Sequence, residues 1–561
     1  MKRPTLQTLI GACASLWLVA VVAVGAAGEP ADGLSPAAIL NPSPDSWPIY
    51  AGDYSGRRYS PLKLLNQDNV RNLSLAWNTR LVAGKDSAGT FRQITGGASD
   101  ADRYPTLATN LRASILQVDG VLYASVPDNA WAIDARDGHI LWHYRWKSRG
   151  GTHIGNRGLG MWHNYLYMET PDDYLISLDA RTGEERWHVE IASFDEQYFS
   201  TPAPLVIGNH LLVGTGNDLD APGFLQSFDP ETGALQWRFY TVPQKAGDPG
   251  LDTWKDLDAA RHGGGNAWTP GSYDPETKLY IFGTGNPTPS YYAATRGDKD
   301  ALFTCSLIAV DVDTGKMAWY YQTSPNDTHD WDSAQTPVLA DVMIGGRLRK
   351  VAMTAARNGY FFVVDRTTGE HLVTSKFSRT ANWAQDKLNA KGQPVRIPQK
   401  DHLPGGALVS NANQGAANWM PASYSADTGL FYVPVTESWA MYYTLELDPR
   451  GAMGLGGKAE LGLANDSYLQ AIDPASGKTV WSVHYPTTGG GVANGVLTTA
   501  GRLLFAGDTG GNLVARDPAN GAPLWHAHVG NVSNAPETYL LDGKQYVIVG
   551  ATDTLYAFRL N

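Results

Sequence analysis

The chain has 561 residues and a formal net charge of −11, and only 18% of its residues are charged. That length spans two to four average domains. The abundance of Gly, Trp and Tyr (60, 18 and 27 residues) suits a turn-rich all-β protein and excludes coiled coil and disorder. The acidic balance gives no support for binding nucleic acid or an anionic membrane surface.

In chain order, the first feature is a leader. Lys2 and Arg3 precede an apolar stretch from Leu9 to Val24, and the small residues Gly25, Ala26 and Ala27 follow. This predicts a secretory signal peptide over 1–27 and an exported protein over 28–561. An uncleaved anchor is the alternative, because the run approaches spanning length; the small-residue exit favours cleavage. No later segment is apolar enough to cross a bilayer, so no transmembrane segment is expected after cleavage. Once the leader is removed, Cys305 is the only cysteine, which leaves no internal disulfide and no CxxCH for covalent haem.

Next comes a repeat, x-x-Asp-x-x-x-Gly-x-x-x-Trp. It reads AIDARDGHILW (132–142), SLDARTGEERW (177–187), SFDPETGALQW (227–237), AVDVDTGKMAW (309–319), AIDPASGKTVW (471–481) and ARDPANGAPLW (515–525). A further copy from Val363, VVDRTTGE, lacks the Trp. Each copy predicts a strand end, a tight turn at Gly, and a second strand ending in an indole that can dock on the neighbouring unit. Strand–turn–strand repetition every 40–50 residues or so indicates a β-propeller. The chain ends supply an eighth copy, LYAFRL (555–560) with NLSLAW (72–77). The expected fold is therefore an eight-bladed β-propeller, closed by pairing of N- and C-terminal strands so that no blade edge stays open. Wide spacings between copies predict insertions near 240–265, 286–304, 375–417 and 440–466; long ordered insertions are usually functional.

The motifs between the repeats resemble the quinoprotein alcohol dehydrogenases, enzymes that use the ortho-quinone PQQ. The matching segments are WPIYAGDYSGRRYSPLKLLNQDNVRNLSLAW from Trp47, NRG (156–158), DPETGALQWRFYTVP (229–243), GGGNAW (263–268), GTGNP (283–287), THDWD (328–332), RNGYFFVVDRTTG (357–369) and NWMPASY (418–424). PQQ is flat and carries three carboxylates, so its pocket calls for cations, a stacking surface and a hard metal ion. The resemblance implies that Arg157 pairs with a PQQ carboxylate and Arg357 bonds near the quinone oxygens. Arg suits both, being planar, always charged and able to form two parallel bonds. It further implies Trp268 as the stacking floor, Asn418 at the cofactor edge and Thr201 as another cofactor contact.

For the metal it implies oxygen ligands. Asn286 matches the family's amide ligand. The carboxylate normally comes from a Glu, and GTGNDLDAPGF (214–224) offers Asp218, with Asp220 as the alternative. Asp330 matches the catalytic base that removes the hydroxyl proton. If 330–332 is extended, Asp332 shares its face and both carboxylates reach one cation. An Asp there resembles the lanthanide-using members, and an added anion favours a trivalent ion, with calcium second. The substrate implied is a small alcohol, and the electron acceptor a separate cytochrome c-type protein.

Two departures stand out. Where many members carry adjacent cysteines over PQQ, this chain has Gly151 and Thr152, so His153 or Ile154 is left to cover that face. The family's early acidic residue is replaced by Arg112. There is no GxGxxG opening a helix, no HExxH and no P-loop, and the 13 His lack ligand spacing. The stretch HGGGN (262–266) reads as a turn over the cofactor. A non-catalytic propeller scaffold and a PQQ enzyme acting on a sugar or polyol are the competing readings.

Overall fold

The computed structural model describes Met1, 33–84, 91–97, 110–151, 153–217, 220–444, 457–460, 462, 465–485 and 494–561. The predicted signal peptide, Thr152 and Asp218 lie outside the described residues. The described chain is all-β, with eight sheets of four or more strands and one two-stranded ribbon. No described helix is long and apolar enough to cross a membrane.

Each repeat copy forms the last two strands of a four-stranded antiparallel unit. The first copy gives Asn129–Asp134 and Ile140–Trp146, preceded by Leu116–Val118 and Val121–Val126. Between the last two strands the Asp closes the turn on its own backbone: Asp229 Oδ1 accepts from the N–H groups of Glu231 and Thr232. The Gly then takes a left-handed conformation, at φ +80° for Gly138 and +72° for Gly183. A Cβ at Gly183 would strike the Trp142 indole at 2.7 Å, so both conformation and space demand glycine.

In all eight outer pairs the register shifts by one residue, and the extra residue directly precedes the Trp position. Such a bulge bends the outer strand and re-aims the next side chain. Here it turns the indole onto the adjacent sheet. Trp142 donates to Ala180 O at 3.0 Å, Trp237 to Val312 O at 2.9 Å and Trp481 to Pro518 O at 3.0 Å. In the copy without Trp, Val373 packs on Gly477 instead.

The chain ends share one sheet. Ser74–Arg80 runs antiparallel to Thr554–Arg559, and Trp525 of the preceding sheet donates to Leu73 O at 3.0 Å. Two outermost strands were not foreseen: Arg92–Gly96 and Tyr59–Ser60 add parallel edges to Ile140–Trp146 and Leu497–Thr499. Large apolar clusters fill the spaces between sheets, with Trp131, Trp146 and Trp331 almost fully buried.

The topology places the site. Thr201, Arg157, Trp268, Asp330, Asp332 and Asn418 all lie shortly before the first strand of a sheet, and Asn286 and Arg357 directly follow second strands. First and second strands are antiparallel, so all of these positions fall at the same end of their sheets.

Candidate active site

At that end lies a cavity of about 240 Å³. Arg157, Thr201, Trp268, Asn286, Asp330, Asp332, Arg357 and Asn418 all line it, together with Arg112, His153, Ile154, Gly155, Phe199, Asn413, Gln414 and Trp419. Residues from Arg112 to Trp419 thus share one space.

Asp332 is the hub. Its Oδ1 accepts from the Asn286 backbone N–H at 2.7 Å, and its Oδ2 accepts from the Trp268 indole at 2.8 Å and lies 3.2 Å from Arg357 Nη1. The same Arg357 nitrogen donates to Asp330 O at 2.9 Å and lies 3.5 Å from Asp330 Oδ1. The expectation of an extended 330–332 segment is not met, because Asp330 is left-handed at φ +66°. The two carboxylates converge all the same, through a tight turn organised by Asp327. Its Oδ2 accepts from the N–H groups of His329, Asp330 and Trp331 at 3.2, 2.9 and 3.1 Å. Burial holds the Asp327 carboxyl up at about 6. Sequence reading passed over Asp327, although an Asp followed by turn residues is a signal of such a backbone-capping loop.

The glycines of HGGGN set Asn286 in place. Gly265 N–H donates to Asn286 O at 3.0 Å, and a Cβ at Gly264 (φ +72°) would meet the same oxygen at 2.6 Å. The Asn286 amide nitrogen donates to Pro287 O at 2.9 Å and to Ser290 Oγ at 2.5 Å, which leaves Oδ1 as its remaining polar atom. Asp220 turns elsewhere: its carboxylate lies 2.9 Å from His262 Nδ1 and faces two other clefts.

The cationic end is built around Trp268. The Arg157 guanidinium stands 4.6 Å from the Trp268 ring centre and 5.3 Å from that of Trp419, and Arg357 lies 5.2 Å from Trp268. Arg157 Nη1 donates to Thr201 O at 3.2 Å, while its buried Nε has no hydrogen-bond partner. Burial pulls the Arg157 guanidinium down to about 10, and the charges of Arg112 and Arg357 act in the same direction. Arg112 is exposed at the cavity edge. Asn418 Oδ1 lies 3.5 Å from Arg357 Nη2. His153 packs on Phe199 with ring centres 4.8 Å apart. Trp419 and Phe199 were not singled out from the sequence; only the fold sets them beside Arg157 and His153.

A family model described as "Glucose/ethanol/alcohol dehydrogenase, beta-propeller domain" matches residues 47–399. The quinohemoprotein alcohol dehydrogenase ADH-IIG of Pseudomonas putida is 34% identical over 551 residues, which cover 90% of this chain and 72% of that protein. The chain belongs to the PQQ-dependent quinoprotein alcohol dehydrogenases. Among solved structures, ADHIIG from Pseudomonas putida HK5 aligns with a TM-score of 0.83 at 30% identity, covering 94% of this chain and 82% of that one. A europium-containing methanol dehydrogenase aligns at 0.80 and 27% identity, covering 93% and 99%. A second model, described as outer membrane protein assembly factor BamB, matches residues 465–560. This quinoprotein's cavity residues all precede that segment.

The donor set of this PQQ-dependent dehydrogenase fits a flat polycarboxylate. Three guanidiniums and an unpaired buried N–H meet two indole faces at one end of the cavity. The other end offers an amide oxygen and two carboxylates, a hard donor set suited to an oxygen-seeking cation.

Proposed function

We propose that this protein is an exported, eight-bladed quinoprotein that oxidises an alcohol to its carbonyl with PQQ and one metal ion. The observation that carries this reading is the convergence of Arg157, Arg357, Trp268, Asn286, Asp330 and Asp332 on one cavity. Eight sheets linked by indole contacts, with the chain ends paired in one of them, support a closed ring with the cavity at its mouth. The leader over 1–27 and the bacterial quinoprotein relatives support a periplasmic location. A non-catalytic scaffold has no use for this concentration of buried charge.

Bound at the cationic end, PQQ would supply an electrophilic quinone carbon as hydride acceptor, and a metal ion beside it would supply Lewis acidity. The chain's own groups do the rest. Arg157, with Arg112 at the rim, neutralises carboxylates; Trp268 gives a stacking face, and Thr201 fixes Arg157 through its carbonyl. Asn418 steadies Arg357. Asp330 takes the hydroxyl proton as the C–H bond yields its electron pair, and Arg357 holds its backbone oxygen and carboxylate in register. Asn286, Asp332 and Asp330, with Asp218 or Asp220, would hold the metal. His153 and Phe199, packed on each other, also line the cavity.

The metal proposed is a lanthanide, with calcium second, because Asp332 adds a carboxylate at the site. The acceptor proposed for the electrons is a separate cytochrome c-type protein. The test is titration of metal-free, PQQ-loaded protein with lanthanum or calcium under a dye-linked assay. Activity restored by lanthanum is expected; full activity with calcium alone refutes the lanthanide assignment.

A further inference from the structure

One sheet carries two carboxyl groups at places where other sheets carry glycine, and the mechanism above uses neither. Glu169 ends the strand Tyr165–Glu169 and pairs with Leu175, the second residue of the next strand. The same register position is Gly214, Gly283, Gly507 and Gly550 in four other sheets and Ala355 in a fifth. A Cβ at Gly214 would strike Ala267 O, and one at Gly283 would strike Ser333 O, so those two sheets have no room for a side chain there. Asp173 is left-handed at φ +65° directly before its third strand, where Gly359 and Gly511 make the same turn in two other sheets. Both acids are completely buried.

The pair adjoins the cationic end of the cavity. The Ser200 hydroxyl faces both carboxyls and donates to Asp173 Oδ1, as does Thr215 Oγ1 at 3.2 Å. Ser200 directly precedes Thr201, whose carbonyl holds Arg157, and Glu169 and Arg157 are within electrostatic reach of each other. Both oxygens of Glu169 and Oδ2 of Asp173 have no hydrogen-bond partner. Buried polar atoms are almost always paired, and protons on the carboxyls themselves supply the donors missing here. Burial and the charge of Asp173 push Glu169 well above the usual carboxylate range, and burial holds Asp173 at about 7. The other groups facing the pair are Arg157, Asp172, Tyr198 and Tyr280. Asp172 accepts from Trp146, Thr170 and the Arg149 backbone, and burial keeps both tyrosines neutral phenols.

We propose that Glu169 and Asp173 form a proton-binding counter-charge to Arg157, so that seating a PQQ carboxylate on Arg157 draws a proton from solvent into the pair. The inference rests on the PQQ reading above and adds to it a linkage between cofactor binding and pH. Without the cofactor, an ionised pair offsets the buried guanidinium. A carboxylate on Arg157 takes over that task and leaves the pair's own negative charge unsupported; protonation removes it. Cofactor binding thus raises the proton affinity of the pair. PQQ binds most tightly below about pH 6, where the pair is already neutral, and affinity falls as pH rises through 7.

The test is calorimetric titration of PQQ into the cofactor-free full-length chain at pH 6, 7 and 8, in buffers of different ionisation enthalpy, which reads affinity and protons together. A rise of about one pKa unit on binding gives uptake of about 0.4 proton per PQQ at pH 7, and affinity about fivefold higher at pH 6 than at pH 8. Asp173→Asn should abolish the uptake and bind PQQ at pH 8 as tightly as the wild type does at pH 6, because its amide mimics the protonated acid. Glu169→Gln offers Asp173 a fixed N–H donor in place of an exchangeable proton, and should move the uptake to lower pH. Absence of uptake in the wild type overturns the pair. Uptake unchanged in both variants also overturns it and assigns the proton to His153, which lines the cavity. Binding without uptake leaves the dehydrogenase reading standing, whereas failure of PQQ to bind at any pH overturns both.

Discussion

Replacing Arg157 by Met should have opposite effects on the cofactor-free and cofactor-bound protein. Arg157 is buried, its Nε is unpaired, and its Nη1 donates to Thr201 O. Holding a guanidinium at about 10 penalises its charged form by about 3 kcal/mol, since one pKa unit is worth about 1.4 kcal/mol. Cation–π contact with Trp268 and Trp419 returns about 1–2 kcal/mol of that. Met keeps the length and discards the charge, so the cofactor-free variant should be more stable than wild type by about 1–2 kcal/mol. With PQQ the sign reverses. A charge-assisted bond to a buried carboxylate is worth about 1.5–3 kcal/mol, so PQQ affinity should fall by roughly 10- to 150-fold. The assay is urea unfolding of the cofactor-free protein together with fluorescence titration of PQQ into both proteins. A cofactor-free Arg157→Met that is less stable than wild type, with unchanged PQQ affinity, would refute the reasoning and make Arg157 a structural residue.

Three further outcomes follow from the same geometry. Burial holds the Asp173 carboxyl up at about 7 despite donors from Ser200 and Thr215, so the folded state binds its proton more tightly than the unfolded state does. Its cost is therefore absent near pH 4, grows as pH rises, and is complete above pH 7; Asp173→Asn should gain about 1–3 kcal/mol above pH 7 and nothing near pH 4, by urea titration at each pH. Trp142→Ala should cost about 3–5 kcal/mol, and Trp525→Ala the same amount if the contact of its sheet with Leu73 is equivalent; a negligible cost for Trp525→Ala would argue against a closed ring. Trp268→Phe keeps an aromatic face but removes the donor to Asp332 Oδ2, and should weaken metal binding by about 1–2 kcal/mol in titrations of the PQQ-loaded protein.

The sequence by itself determined the unit of construction. Asp, Gly and Trp at fixed spacing encode a turn, a left-handed residue and a docking indole, all of them interactions within a few residues or with the next copy. Val373, which replaces the missing Trp, still carries the register shift, because the turn fixes that shift rather than the indole. The motifs also marked Arg157, Trp268, Asn286, Asp330, Asp332, Arg357 and Asn418 among the residues that line the cavity, since each sits in a local signature of its own.

Tertiary structure alone decided how those groups meet. The sequence could not show that Asp330 is left-handed, because that conformation is imposed by three N–H groups converging on Asp327. Nor could it show the pairing of Asp220 with His262, which lies 42 positions on. Trp419 beside Arg157, and Tyr442 beside Tyr291, are contacts between distant insertions and loops. Local sequence restricts the backbone one turn at a time; which loops share a cavity depends on how the sheets stack, and that stacking is a sum over many long-range contacts that no single motif contains.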